Sequence, residues 1–314
     1  MDVAVIIPAF NAGPYLDQTL ASVAGQTYPP AQVVVADDCS SDDTMERARR
    51  WGSRLPVEVL RLERNAGPGP ARDRAIQVTT TSLLAILDAD DLLLPDHLET
   101  MVAAHQHAHG LVSARELPWA PGRGLDLARR RNRPTPVPTD PAEQLVALLQ
   151  RNYVNFPLFS RVLYQEAGGF RARFRVGEDW DLWIRMLRAG ARITETSHPT
   201  ALHRIRLRSL SVDPTSTVES GIAVLTVALA ESRSAPERGA AERGLQALHA
   251  RKRYYDASTL AASGHLWRAR AVAVRGCRGG GWRVMAGLTA LAVAPRTSIR
   301  LERATRRYRT FRPE

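Results

Sequence analysis

Two hydrophobic rhythms alternate through the first hundred residues. Residues 3–8, 32–36, 58–62 and 83–87 are short runs carrying branched apolar side chains, and such runs predict buried strands. Between them the apolar positions move to helical spacing. After Pro14, the side chains Leu16, Leu20 and Val23 fall on one face of a helix. Ser40 and Asp43 stand at capping-box spacing ahead of a second helix. Residues 72–78 predict a third, and Pro95 opens a fourth that runs to 107. Residues 65–70, Asn-Ala-Gly-Pro-Gly-Pro, predict a loop. Strand and helix in regular alternation imply an α/β fold with a doubly wound, mostly parallel sheet.

The rhythm fails between 113 and 139, where Pro118, Pro121, Gly122, Gly124, Pro134, Pro136 and Pro138 surround Arg129-Arg130-Arg131. A loop of that length is either a functional element or a solvated insertion. Helical spacing returns at 141–152 and around Trp183, Met186 and Leu187, and residues 189–194 predict a late strand. From 215 onward the chain reads as helix. The segments are 218–232, then 240–262 with Leu245, Leu248, Tyr255 and Leu260 as packing positions, then 267–275. After a break at Gly279-Gly280-Gly281 come 282–293 and 298–309. The expected organisation is an α/β domain over 1–214 and a basic helical C-terminal extension over 215–314.

The formal net charge of +11 changes the picture once it is located. Residues 1–214 hold 25 Lys+Arg against 25 Asp+Glu, so the whole excess lies after residue 214. A basic tail attracts anionic surfaces, whether phospholipid headgroups or nucleic-acid phosphates. With the first domain neutral, no nucleic-acid partner is expected. Cys39 and Cys277 give neither a disulfide framework nor a metal knuckle and predict buried reduced thiols. No apolar run reaches the roughly 20 residues of a membrane span, and Met1-Asp2 leads into the first strand without a basic leader. A cytoplasmic location follows as the expectation, with peripheral contact at the inner face of the cell membrane through the tail.

Candidate chemistry gathers at the strand ends. Asp88-Ala89-Asp90-Asp91 follows the apolar run 83–87, and the carboxyl ends of strands in open α/β sheets are where ligands bind. Two carboxylates one residue apart can hold a hard divalent cation that also bridges a diphosphate. The alternative is a surface turn with a solvated acidic cluster. Two further acidic segments stand at element ends: Asp37-Asp38-Cys39-Ser40-Ser41-Asp42 and Gly177-Glu178-Asp179-Trp180-Asp181-Leu182-Trp183. Together they predict a metal-assisted transfer enzyme.

These segments, with Val5-Ile6-Ile7-Pro8-Ala9-Phe10-Asn11, stand in an order and spacing that resembles the family 2 inverting glycosyltransferases of GT-A fold. The resemblance covers roughly 1–214. It implies a sugar transfer from a nucleoside-diphosphate donor, a UDP-sugar first among the candidates, to a hydroxyl of a glycan or lipid-linked acceptor. Pro8, Ala9, Phe10, Asp38, Arg72 and Asp88 match the donor-binding positions. Asp88 and Asp90 match the metal pair for Mg²⁺ or Mn²⁺, and Asp179 matches the catalytic base. Glu178 and Trp180 are expected on the acceptor side, Glu178 with a structural role as the alternative. Phe10 could equally be a core aromatic, and Arg72 a solvated helix arginine. Asp37 is expected to be structural, Trp183 core, and Asp181 outside catalysis.

One stretch departs from the family pattern Tyr-Arg-x-His-x-x-Ser-x-Ser. Here it reads His203-Arg204-Ile205-Arg206-Leu207-Arg208-Ser209-Leu210-Ser211, with Arg206 at the histidine position. An arginine cannot coordinate a metal but can neutralise a leaving diphosphate. Either Arg206 does so, or His203 serves from a shifted register. Three other enzymes fit less well. A haloacid-dehalogenase-type phosphatase wants Thr or Val where Asp91 stands. A nucleotidyltransferase wants a Gly-rich basic loop where Asn11-Ala12-Gly13-Pro14 stands. A dinucleotide oxidoreductase wants G-x-G-x-x-G there. A GT-A-like binding or scaffold protein without turnover remains the alternative of another class. For the tail, a basic interfacial anchor and a helical cap with a solvated arginine face stand side by side.

Overall fold

Val3–Ala9 (β1) is buried on both faces, because it runs through the middle of a sheet with helices on either side. The computed structural model describes residues 1–108, 110–120, 124–125, 137–205, 214–275, 286 and 288–290. The chain divides into two compact units at 208/209.

In the first unit Gly13–Ala24 (α1), Gln32–Asp37 (β2), Thr44–Arg50 (α2), Val57–Arg61 (β3), Pro68–Val78 (α3) and Leu83–Ile86 (β4) follow β1. Leu92–Leu93 (β5), His97–Ala108 (α4), Leu111–Ala120 (β6), Gly124–Leu125 (β7), Pro141–Leu148 (α5), Leu158–Ser160 (β8), Arg161–Glu166 (α6), Glu178–Arg188 (α7) and Ile193–Arg204 (β9) complete it. The strands order as β3-β2-β1-β4-β8-β6-β9-β5, with β7 on β6. β3, β2, β1 and β4 are parallel, β8 is antiparallel to β4 and β6, and β9 is parallel to β6. On one face Val3, Val5 and Ile7 pack with Leu16 and Leu20 of α1 and Leu98 and Met101 of α4. α3 covers β1 and β2 through Ala71, Ala75 and Ile76.

Several local expectations are corrected. Pro68-Gly69-Pro70 is the first turn of α3, not loop, because prolines there lack only N–H groups that the helix would leave unpaired. The Ser40–Asp43 capping box does not form. The Ser40 hydroxyl accepts instead from the Asn11 N–H at 2.9 Å, and Asp42 holds the Thr44 N–H at 3.1 Å. β6 extends through Pro118 into the stretch expected to be loop. A parallel partner, β9, accompanies it past register shifts around Arg115, and beyond them Pro118 stands in register with His203. The same pairing with β6 carries β9 ten residues beyond 194, to Arg204. α5 ends at Leu148, short of 152. Cys39 is half-buried with a free thiol, not fully buried; Cys277 lies outside the described residues.

The second unit contains Pro214–Ala230 (α8), Ala235–Ala262 (α9) and Leu266–Arg275 (α10). Its seams are small: Ala240, Ala241, Gly244, Ala250, Ala257 and Ala261 are the buried apolar positions of α9, while Leu245, Leu248, Tyr255 and Leu260 are only half-buried. Among the described residues no helix is long and apolar enough to cross a membrane.

Candidate active site

β1, β2 and β4 deliver their carboxyl ends to one edge, with Ala9 level with Asp37 and Ile6 with Ile86. β2 lies on one side of β1 and β4 on the other, so the crossovers diverge here, as at the ligand crevice of open α/β sheets. Phe10, just past buried β1, leaves 52 % of its surface exposed at this edge. Asn11 and Cys39 both adopt left-handed backbone (φ 48° and 64°), and the Asn11 side-chain oxygen accepts the Ser41 N–H at 2.9 Å. Asp37 is fully buried and accepts from the Ser40 N–H. Asp38 accepts from the Ala66 and Gly67 N–H groups at 2.7 and 2.8 Å, which fixes the approach to α3.

The turn after β4 is held from three directions. The Thr19 hydroxyl donates to the carbonyls of Ala89 and Asp91 at 3.0 and 2.9 Å. Asp91 is buried, and its carboxylate accepts the Arg204 N–H at 2.7 Å and faces His203 Nδ1 at 3.3 Å. Arg204 Nε donates to the Asp90 carbonyl at 2.5 Å, and the second guanidinium arm reaches Gln18 at 2.7 Å. That guanidinium also stacks 4.3 Å from the Trp119 ring centre and 5.1 Å from that of Tyr15. Asp91 therefore builds the turn. Asp88 stays half exposed and Asp90 half-buried. The hydrogen bond that the His203 imidazole donates to the Asp91 carboxylate pushes His203 up to about 9, with Glu116 and Asp88 adding to it. Burial pushes Glu116 up as well.

α7 enters from the far side. Gly177 takes a left-handed conformation (φ 81°) that only glycine adopts at no cost, and it sets Glu178 and Asp179 in the first helical turn. Arg72, buried on α3, donates to Glu178 at 2.5 Å and to Asp88 at 2.8 Å. Asp179 accepts from Asn152 Nδ2 at 3.0 Å and from the Trp180 N–H at 2.7 Å. One guanidinium is thus bonded to two carboxyls and lies within the field of a third, Asp179. Burial works against the charge on Arg72, but Asp88, Glu178 and Asp179 more than offset it and raise it above its usual range. Burial and the neighbouring Asp179 push Glu178 up to about 7 despite Arg72. Burial raises Asp179 too, with Asp88 adding to it and Arg72 opposing. A carboxylate near a strand-end acidic pair, with a raised affinity for a proton, is equipped to take one from a hydroxyl.

Residues 4–130 match the model of the family described as glycosyl transferase family 2. The first unit belongs to that family. The succinoglycan biosynthesis protein ExoO of Rhizobium meliloti is 30 % identical over 226 residues, which are 67 % of this chain and 62 % of ExoO. The chain thus matches less than two thirds of that relative's length. Staphylococcus aureus TarS 1-349 in complex with UDP-GlcNAc superposes with a TM-score of 0.64 at 18 % identity, covering 97 % of this chain and 92 % of that one. The mannosyltransferase PcManGT of Pyrobaculum calidifontis, in complex with GDP-Man and Mn²⁺, gives 0.62 at 19 % identity and covers 96 % and 83 %. These likenesses show the GT-A fold.

Within this family 2 domain, the sequence-derived residues divide into two groups. Pro8, Ala9, Phe10, Asp38, Arg72, Asp88, Asp90, Glu178 and Asp179 lie at or beside the carboxyl edge or are tied to it by the bonds above. Trp180 departs from expectation. The residue is 8 % exposed and its indole N–H is held by the Leu148 carbonyl at 2.8 Å, so it is core, not an acceptor platform. Glu178 is likewise only 4 % exposed and turned to Arg72, which makes it a structural partner and not an acceptor contact. Trp183 is core, and Asp181 is paired with Arg171 and Arg185. Arg206 lies outside the described residues. Thr19, Gln18 and Asn152 went unnoticed in the sequence, and Arg204 was noted only as part of the departing stretch, since each matters through a contact 27 or more positions away.

Among the described residues no group of three or more His, Cys, Asp or Glu forms a metal cage. The donor set nevertheless fits a cation of the Mg²⁺ type, which is held by one or two carboxylates plus waters and substrate phosphates. Asp88 and Asp90 are such carboxylates, and three carboxyls around one guanidinium leave negative charge for a cation to balance.

Proposed function

We propose that the chain is an inverting glycosyltransferase that moves a sugar from a nucleoside-diphosphate donor to a hydroxyl of a glycan or lipid-linked acceptor. The observation that carries the reading is the Asp88–Arg72–Glu178 bridge, which ties the strand-end carboxylate to the helical turn bearing Asp179. Phe10, exposed at the end of β1, takes the nucleotide base, with Pro8, Ala9 and Asp38 shaping the pocket around it. A divalent cation, Mg²⁺ or Mn²⁺, bound by Asp90 and Asp88 supplies charge stabilisation to the departing diphosphate. Cationic His203 faces the same edge and adds positive charge.

Asp179 takes the proton of the acceptor hydroxyl. The oxygen attacks the anomeric carbon from the side opposite the diphosphate, and the bond to the diphosphate breaks with its electron pair on the leaving group. One displacement inverts the centre. UDP-sugars are the first donors to test, given TarS with UDP-GlcNAc, and GDP-sugars come next, given PcManGT with GDP-Man. Polysaccharide assembly is the setting suggested by ExoO, a succinoglycan biosynthesis protein.

The test is turnover of a panel of nucleotide sugars by purified protein against a lipid-linked acceptor extract, with and without Mn²⁺, the product anomer being assigned by NMR. Product with an inverted anomer supports the reading. No nucleotide release with any donor would leave a binding protein on this scaffold.

A further inference from the structure

α10 presents two unlike faces. Ala269 and Ala273 are fully buried and join Ala257, Ala261 and Leu288 in the small core cluster of the second unit. At about 100° per residue, Trp267, Ala271 and Val274 fall together on the opposite side of the helix. All three are exposed, Trp267 by 72 % and Val274 by 59 %. Exposed Arg270 borders this strip on one side and exposed Arg268 on the other, the Arg268 guanidinium 5.1 Å from the Trp267 ring centre. The helix carries no acidic residue.

We propose that this face docks on an anionic phospholipid surface, with Trp267 and Val274 inserted at the headgroup–acyl boundary and Arg268 and Arg270 against lipid phosphates. The strip is one helix wide, and a stable protein partner would require about 800 Å² on each side. A bilayer requires only shallow apolar insertion and diffuse positive charge. Tryptophan suits that boundary because its body is apolar and its N–H is wet. The charge is complementary as well, since the whole net +11 lies after residue 214. The inference does not depend on the transfer reaction.

The experiment is cosedimentation of the full chain with phosphatidylcholine vesicles, with and without phosphatidylglycerol. Binding to the anionic vesicles that weakens with salt is expected, together with a roughly tenfold or greater loss in Arg268→Gln/Arg270→Gln and in Trp267→Ser/Val274→Ser. Quenching of tryptophan fluorescence by brominated lipid, present in the wild type and reduced in Trp267→Phe, tests insertion without removing the apolar contact. Equal quenching in both proteins overturns the proposal, as does undiminished binding by Trp267→Ser/Val274→Ser. A dimer in light scattering that Trp267→Ser converts to monomer, without vesicle binding by the wild type, assigns the strip to a second copy and also overturns it.

Discussion

Arg72 and Glu178, 106 positions apart in the chain, form a buried ion pair at 2.5 Å. Because the same guanidinium holds Asp88 at 2.8 Å, α3 links the end of β4 to the first turn of α7. The link has consequences for stability, for pH dependence and for chemistry.

Replacing Arg72 by Met leaves Glu178 buried without its cation. Loss of one partner from a buried pair typically costs about 3–5 kcal/mol. A lower Tm and a raised donor KM are expected, while Arg72→Lys recovers only part of either, since one ammonium lacks the fork that reaches both acids. Thermal melts and donor titrations of both variants check this, and a Met variant melting like the wild type would refute it.

Asp179→Asn removes the proposed base and keeps the side chain's size. Turnover should fall by about 10²–10⁴-fold, with UDP affinity by calorimetry nearly unchanged. Lost UDP affinity would move Asp179 to the donor side.

Asp90→Asn should lower donor turnover by at least about 10²-fold, the scale of removing charge stabilisation from a leaving group. Excess chelator should silence the wild type. Full activity under either condition excludes the metal pair.

The pH profile follows from the sign of the shifts. A base acts ionised, and Asp179 is raised by burial, so kcat/KM should fall on the acid side at a pH above the ordinary aspartate value. Asn152→Ala removes a side-chain hydrogen bond that holds Asp179 down. That limb should then move to higher pH, and a pH–rate profile with an unmoved limb would contradict its assignment to Asp179.

His203 is raised by Asp91 from its ordinary 6.5 to about 9. Its pairing therefore stabilises the fold fully below about 6.5, and the contribution disappears as pH rises through about 9. Melts of wild type and His203→Gln should differ most at low pH and converge above that range. A constant difference would mean that the pairing is not a charged one.

Much of the α/β unit is legible in local sequence. Residues 3–9, 32–37 and 83–86 are strands because the continuous branched runs suit a sheet covered on both sides. Leu16, Leu20 and Val23 are buried because their spacing matches the helical period. β8 and β5 escaped notice, being three and two residues long and held by cross-strand pairing, not by a pattern of their own. Trp180 misled because an aromatic beside a candidate base looks the same in sequence whether it faces solvent or Leu148.

Sequence by itself determined which carboxylates stand at strand and helix ends, since those positions follow from periodicity over a few residues. It could not distinguish Asp88, Asp90 and Asp91 by role. Tertiary structure decided that: β5 pairs antiparallel with β9 and brings Arg204 and His203 onto Asp91, more than 110 positions away. The Asp91 carboxylate is consumed in holding the turn, and Asp88 keeps an exposed one for a ligand. Three chemically identical groups acquire different roles because hydrogen-bond partners and burial are set by non-local packing, and no pattern of neighbours in the chain encodes it.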